Sequence, residues 1–168
     1  MAALSQQAIN KGLSIRKATA DDVPAVQSIV NASYSKYIER MGKPPAPMIA
    51  DYHELLNTRD IYILESISDD SSMRIVGSII LGIDPEEDAV KVNNLVVEPA
   101  AQGRGYGRVL MDFAEDVARE NQIKSMALFT NVKMHENIGL YLKLGYVETE
   151  RKSEDGYDRV YFRKRLLD

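Results

Sequence analysis

The sequence predicts a mixed α/β fold of the α+β type, with one central, largely antiparallel sheet flanked by helices. Three features predict it. The runs "DIYILESI" (60–67) and "RIVGSIILGID" (74–84) are β-branched and apolar, and the polar turn "SDDSSM" between them makes a hairpin. The stretch 95–122 carries Val109, Leu110, Phe113 and Val117 at helical spacing. The order of elements, βα, α, ββ, βα, βα, β, is not the regular alternation of a parallel α/β protein.

Taken in order, "LSIRKA" (13–18) alternates like a first strand, and residues 1–12 are expected to be a flexible tail. "TADDVPAVQSIVNASY" (19–34) reads as a helix in which Thr19 and Asp22 form a capping box and Pro24 is early enough to be tolerated. Gly42, Pro44, Pro45 and Pro47 break the following helical region and allow a new helix to start near Met48. The polar loop 84–89 leads to a fourth strand, "VKVNNLVV" (90–97). A long helix then places Val109, Leu110, Phe113, Ala114, Val117 and Ala118 along one face. "SMALFTNV" (125–132) is a strand, "HENIGLYLKLGY" (135–146) a short helix ended by Gly145 in a left-handed cap, and "DGYDRVYFRKRLL" (155–167) a last strand. Residues 13–168 are expected to form a single domain of ordinary size.

Composition narrows the function. With 21 Lys+Arg against 25 Asp+Glu the net charge is -4, which argues against a general nucleic-acid binder. The absence of cysteine removes disulfides, thiol nucleophiles and cysteine-ligated metals, and no metal is expected. No apolar run of about 18 residues suggests a membrane span, so an intracellular, cytoplasmic protein without a membrane partner is expected.

The chemistry is written in "LVVEPAAQGRGYGRVL" (95–110), where a strand ends, three glycines follow at 103, 105 and 107, and a helix opens. Free N–H groups at such a helix start, with the helix dipole, form an anion site, and glycine lets phosphate oxygens approach the chain. Arg104 and Arg108 add positive charge. The P-loop does not fit, because Arg108 and Val109 follow Gly107 where Lys and Ser/Thr are needed. The dinucleotide fingerprint does not fit either, because Arg108 or Leu110 stands where its third glycine belongs. The pattern Q-x-x-G-x-G, as Gln102, Gly105 and Gly107, does fit.

That loop, with the "TN" ending the next strand and the distant "ENIGLYLKLGY", resembles the acetyl-CoA-binding half of the GNAT superfamily of N-acetyltransferases. The resemblance extends over residues 13–165 in layout and is motif-specific over about 92–147. It implies that the fourth and fifth strands splay apart. The pantetheine arm of acetyl-CoA would enter the gap and bind the backbone of Leu95, Val96 and Val97, and an N–H near Leu95 or Val96 would act as oxyanion donor. It places Gln102, Gly103, Arg104, Gly105, Tyr106, Gly107 and Arg108 around the pyrophosphate and Asn131 and Asn137 on the arm. Lys143 is carried over to the 3′-phosphate, and Tyr141 to the departing thiolate as proton donor. Helix capping accounts equally for Asn137, and solvation for Lys143.

No strand carboxylate offers itself as base, since "VKVNN" supplies Lys91, Asn93 and Asn94. Glu98 sits in the turn to the phosphate loop, and Glu39, Asp51 and Glu54 lie in the helical region. Tyr34, Tyr37, Arg40, Met48 and Tyr52 are candidate walls of an acceptor pocket, with Arg40 able to bind a carboxylate. The expected partner is a small-molecule amine, and relatives of this kind also pair as homodimers. An acetyltransferase for protein lysines or amino termini, and a non-catalytic acyl-CoA sensor, remain as alternatives. His53 and His135 are expected to be incidental.

Overall fold

The computed structural model describes residues 2–167. Its centre is a seven-stranded sheet in the order β1-β2-β3-β4-β5-β7-β6. The strands are β1 (Leu13–Lys17), β2 (Asp60–Ile67), β3 (Met73–Asp84), β4 (Ala89–Val97), β5 (Ser125–Asn131), β6 (Val147–Glu154) and β7 (Tyr157–Arg165). Every neighbouring pair is antiparallel except β4 and β5.

Among the described residues, seven α-helices surround the sheet: α1 (Gln6–Asn10), α2 (Val23–Tyr34), α3 (Lys36–Met41), α4 (Ala46–Ile49), α5 (Tyr52–Thr58), α6 (Tyr106–Glu120) and α7 (His135–Lys143). Alternation along the strands feeds two cores. Ile79 and Leu81 of β3 join Leu110, Phe113 and Ala114 of α6 on one face. Ile80 of β3, Ile61 and Ile63 of β2 and Val96 of β4 join Val26, Ile29 and Val30 of α2 on the other. Gly77 permits the close approach of α6, since a β-carbon there would stand 3.2 Å from Leu110 Cδ1 and 2.9 Å from the Val96 carbonyl oxygen.

The expected capping box is present. The Asp22 carboxylate accepts from the Thr19 N–H at 2.8 Å and is also gripped by both terminal nitrogens of Arg16 at 2.8 Å. Gly42 caps α3 in the left-handed conformation, and Gly145 follows α7 with φ of 91°.

Three expectations need correction. Residues 6–10 are not a tail: Ser5 caps them as a helix, and Ala8 is buried in the first core. The region near Met48 holds two short helices, the second opened by Asp51, whose side chain accepts from the Glu54 N–H at 3.1 Å. Strand β6, "VETERKSE", was not foreseen. It is an edge strand exposed along nearly its whole length, so no apolar alternation marks it. Asp155 and Gly156, both with positive φ, make the tight turn to β7.

The position of the site follows from β4 and β5. They pair in parallel only from Ala89 with Ser125 to Val92 with Leu128. Beyond that, β4 runs on beside β3 to Val97 and β5 runs on beside β7 to Asn131. The register of β4 against β3 shifts between Ile80 and Leu81, leaving Asn93 as an extra residue where the strands part. The sheet is therefore open between Leu95 of β4 and Asn131 of β5.

Candidate active site

The glycine loop folds as its residue types demand. Gly103 and Gly105 have φ of 83° and 82°, conformations that other residues adopt only with strain. Gly105 caps α6, and the first bond of that helix runs from the Val109 N–H to the Gly105 carbonyl. The amides of Tyr106, Gly107 and Arg108 thus have no acceptor within the helix, and no side chain caps them. A β-carbon at Gly103, Gly105 or Gly107 would meet nothing within 4 Å. The result is an uncovered row of donors at the positive end of a 15-residue helix. Gln102 plays a different part, its side-chain amide donating to the Val97 carbonyl at 3.1 Å and tying the loop to β4.

Register decides which β4 groups face the gap. Glu98 N–H donates to the Val76 carbonyl at 2.8 Å, so Glu98 and, by alternation, Val96 direct their backbone groups to β3. Leu95 and Val97 direct theirs away from β3. Their carbonyls are already engaged. That of Leu95 accepts from the Tyr34 hydroxyl at 3.1 Å, and that of Val97 from the Ser33 hydroxyl at 2.9 Å. The N–H groups of Leu95 and Val97 remain as the donors on this edge. The expectation of a Val96 backbone contact is thus corrected by strand parity.

Two cavities meet here. The larger, of about 360 Å³, runs from Gly103, Gly105, Gly107 and Arg108 along Leu95 and Val97 to Asn137 and Tyr141. The smaller, of about 60 Å³, lies in the gap between Asn93, Asn94 and Leu95 of β4 and Phe129, Thr130 and Asn131 of β5. Tyr34, Leu95, Asn137 and Tyr141 line both. Tyr141 is buried beside Tyr146 and Phe162, and burial pushes its hydroxyl up to about 12, with Tyr37 adding to the shift. It is a neutral hydrogen-bond donor at the junction.

The comparisons with known proteins bear on this geometry. The sequence model of the Acetyltransferase (GNAT) family matches residues 23–146, most of the chain. The chain belongs to the GNAT acetyltransferase family. Among relatives, an IAA acetyltransferase of Azospirillum brasilense is 34% identical over 74 residues, which are 44% of this chain and 48% of that protein. A mycothiol acetyltransferase of Jonesia denitrificans is 29% identical over 91 residues, 54% of this chain and 28% of that one. The matched stretches thus span about half the first relative and just over a quarter of the second. Among solved structures, a GNAT family acetyltransferase from Elizabethkingia anophelis with acetyl-CoA bound superposes with a TM-score of 0.65. It is 18% identical, over 92% of this chain and 99% of that one, a likeness of fold.

Within this GNAT fold the acceptor-side expectations fare unevenly. Tyr34 is where a wall residue belongs, and Tyr37 lines the larger cavity instead. Tyr52 is buried behind the wall, donating to the Pro47 carbonyl at 2.6 Å and accepting from the Asn94 side chain at 3.3 Å. Met48 packs into the second core and lines neither cavity. Arg40 is corrected outright: its guanidinium is held by both oxygens of Glu136 at 2.9 and 3.0 Å and by the Lys133 carbonyl at 2.9 Å, outside both cavities. Arg104 and Lys143 are exposed and line neither cavity. Asn131 faces the small cavity while its side-chain oxygen accepts from the Lys133 N–H at 2.9 Å. Asn137 lies in the first turn of α7, whose N-cap is Met134, so capping does not account for it.

None of the carboxylates weighed from the sequence lines a cavity. Glu98 is paired with Arg74 at 2.8 Å, Asp51 caps α5, and Glu39 and Glu54 lie outside. The same is true of His53 and His135. Glu136 lines the larger cavity, but Arg40 holds its carboxyl down at about 2.

Sequence reasoning missed Ser33 and Lys36 in the larger cavity and Phe129, Tyr157 and Arg159 in the smaller. The last two belong to β7, next to the unforeseen β6. The Asp155-Gly156 turn was the available signal, since it sets the register that aims Tyr157, Arg159 and Tyr161 to one face. Among the described residues, no group of three or more His, Cys, Asp or Glu side chains could hold a metal. Among those same residues, no helix is long and apolar enough to cross a membrane.

Proposed function

We propose that the protein is an acetyl-CoA-dependent N-acetyltransferase acting on the primary amine of a small metabolite or amino-acid-like acceptor. The observation that carries this is the meeting of the two cavities at Leu95 and Tyr141. One cavity ends in bare helix amides suited to a pyrophosphate, and the other is a narrow chamber walled by aromatic and thioether groups.

In this reading the amides of Gly105 to Arg108 hold the pyrophosphate. The N–H groups of Leu95 and Val97 pair with the pantetheine arm as an added strand would. The thioester carbonyl oxygen lies toward the Leu95 N–H, which stabilises negative charge developing on it. The amine nitrogen attacks that carbonyl carbon, the carbon–sulfur bond breaks, and the sulfur leaves as thiolate. Tyr141 gives its hydroxyl proton to the sulfur and is reprotonated, through water, by the second proton that the nitrogen sheds as the amide forms. An alkyl ammonium titrates at about 10.4, so its deprotonation costs roughly 4–5 kcal/mol at pH 7. No carboxylate lines the smaller cavity, and the amine proton leaves to water along the polar wall of Asn93, Asn94 and Asn131.

A small acceptor is favoured over a protein segment because the smaller cavity is roofed. The loop between α3 and α4 crosses to the β6–β7 turn, where the Tyr157 hydroxyl donates to the Pro44 carbonyl at 2.7 Å and Lys43 bonds the Gly156 carbonyl. Thiol release from acetyl-CoA, followed over a panel of amines and peptides, tests the reading. Release that depends on a small amine supports it. Release that depends only on peptides, or coenzyme binding with no release for any acceptor, contradicts it.

A further inference from the structure

Arg159 stands out among the arginines of this chain. It is 8% exposed and faces the smaller cavity, and it carries the only formal charge among that cavity's described lining residues. Its guanidinium lies over the Phe129 ring, 4.2 Å from the centroid, and 5.9 Å from that of Tyr157. Stacking of this kind fixes the plane of the group and leaves its edge for hydrogen bonds.

That edge is largely unspent. Arg16 uses all three nitrogens on Asp22 and Glu65 at 2.7 to 2.8 Å, and Arg40 is held bidentately by Glu136. Arg159 makes one long hydrogen bond to a carboxylate, from Nη1 to Glu154 at 3.3 Å; the same nitrogen lies 3.6 Å from Asp155, and the side chain also contacts the Tyr161 hydroxyl. Both carboxylates lie outside the lining of that cavity, and Glu154 is shared with Lys152 at 2.9 Å and the Tyr161 hydroxyl at 2.6 Å. A buried guanidinium whose carboxylate contacts are both long and made through one nitrogen, Nη1, keeps most of a bidentate clamp free.

We propose that Arg159 is the specificity-determining residue of the acceptor cavity and binds a carboxylate carried by the amine substrate. The inference rests on the acetyltransferase reading above and names the substrate class: a compact amino acid whose amine reaches Leu95 and Tyr141 while its carboxylate meets Arg159. The charge does a second job. A fixed positive group near the amine disfavours the ammonium form, which helps a site whose cavity wall holds no carboxylate base. It also disfavours polyamines and lysine-rich segments, whose further positive charges would be left beside it.

The test uses matched triplets of acceptors: an apolar or aromatic amino acid, its carboxamide and its decarboxylated amine. The amine of the carboxamide is less basic and that of the decarboxylated compound more basic, so preference for the acid over both cannot come from amine basicity. Acetylation is followed by thiol release, and binding of each compound to the CoA-saturated protein by calorimetry. The wild type is expected to favour the acid by about 10- to 100-fold in kcat/KM, the range of a charged hydrogen-bond pair. Arg159→Gln is expected to abolish that preference through KM rather than kcat, and Arg159→Lys to keep part of it. Glu154→Gln, which removes the carboxylate now paired with Arg159, is expected to tighten binding of the acid about two- to threefold, a gain that misfolding cannot imitate.

Equal use or binding of the three compounds, no binding of any acid, or a preference that survives Arg159→Gln overturns the proposal. Wild-type protein that binds no CoA overturns the acetyltransferase reading along with it. CoA binding without discrimination overturns this inference alone.

Discussion

The hydroxyl of Tyr34 lies 3.1 Å from the carbonyl oxygen of Leu95 and 3.1 Å from the side-chain oxygen of Asn94. One tyrosine thus occupies the acceptor group of the β4 residue that faces the gap and leaves its N–H as the available donor. Asn94 passes the connection on to Tyr52, whose hydroxyl donates to the Pro47 carbonyl. Replacing Tyr34 by Phe removes the first link. The expected result is a stability loss of about 1 kcal/mol in urea denaturation. Turnover should fall more than acetyl-CoA affinity, because the pyrophosphate cradle is untouched.

Tyr141→Phe should reduce kcat by about 10²–10⁴ while leaving coenzyme affinity nearly unchanged, since only the hydroxyl is lost from a ring packed on Tyr146 and Phe162. Burial raises this group, and the protonated form is the active one. Its contribution is therefore present below about 12 and lost only above it. The kcat profile from about pH 7 to 10 should show no falling limb from Tyr141. Full turnover by the variant in a steady-state assay would remove the residue from the chemistry.

Arg40→Gln separates the sequence-based expectation from the structure. Because Glu136 and the Lys133 carbonyl occupy its guanidinium, acceptor KM should change by less than about twofold. A large rise in KM in the same assay would restore it as an acceptor ligand.

Much of this was legible in the sequence, for a physical reason that varies with position. The middle of β3, from Val76 to Leu81, is buried on both faces, so its residues are mostly apolar and the strand was visible. The glycine loop was visible because φ at Gly103 and Gly105 admits little else. β6 was hidden because an exposed edge strand has no buried face to impose alternation. Its absence concealed the register of β7, and with it Arg159, while Arg40 looked suitable only because its partner Glu136 lies far away in sequence. The parity of β4 was likewise unreadable, since Asn93 is an extra residue created by pairing rather than by any local signal.

Asp22 links the capping box to Arg16, and that guanidinium holds its carboxyl down at about 2. An unfolded aspartate titrates near about 3.9, so the stabilisation is complete above about pH 4 and is lost as pH falls towards about 2. Asp22→Asn should lower stability at neutral pH by about 1–3 kcal/mol and flatten the acid limb of a pH series of urea melts. An unchanged acid limb would mean that another carboxylate governs it.

Gly107 isolates the central claim, because its β-carbon would meet nothing within 4 Å of the protein and no left-handed φ binds it to glycine. Within a helix, Val is no worse than Gly, so Gly107→Val should fold with an unchanged Tm. Titration of acetyl-CoA into both proteins by calorimetry is the most direct measurement. The wild type is expected to bind and the variant to bind at least about tenfold more weakly, as the new side chain crowds the pyrophosphate. No binding by the wild type, or equal affinity in the two proteins, would contradict that claim.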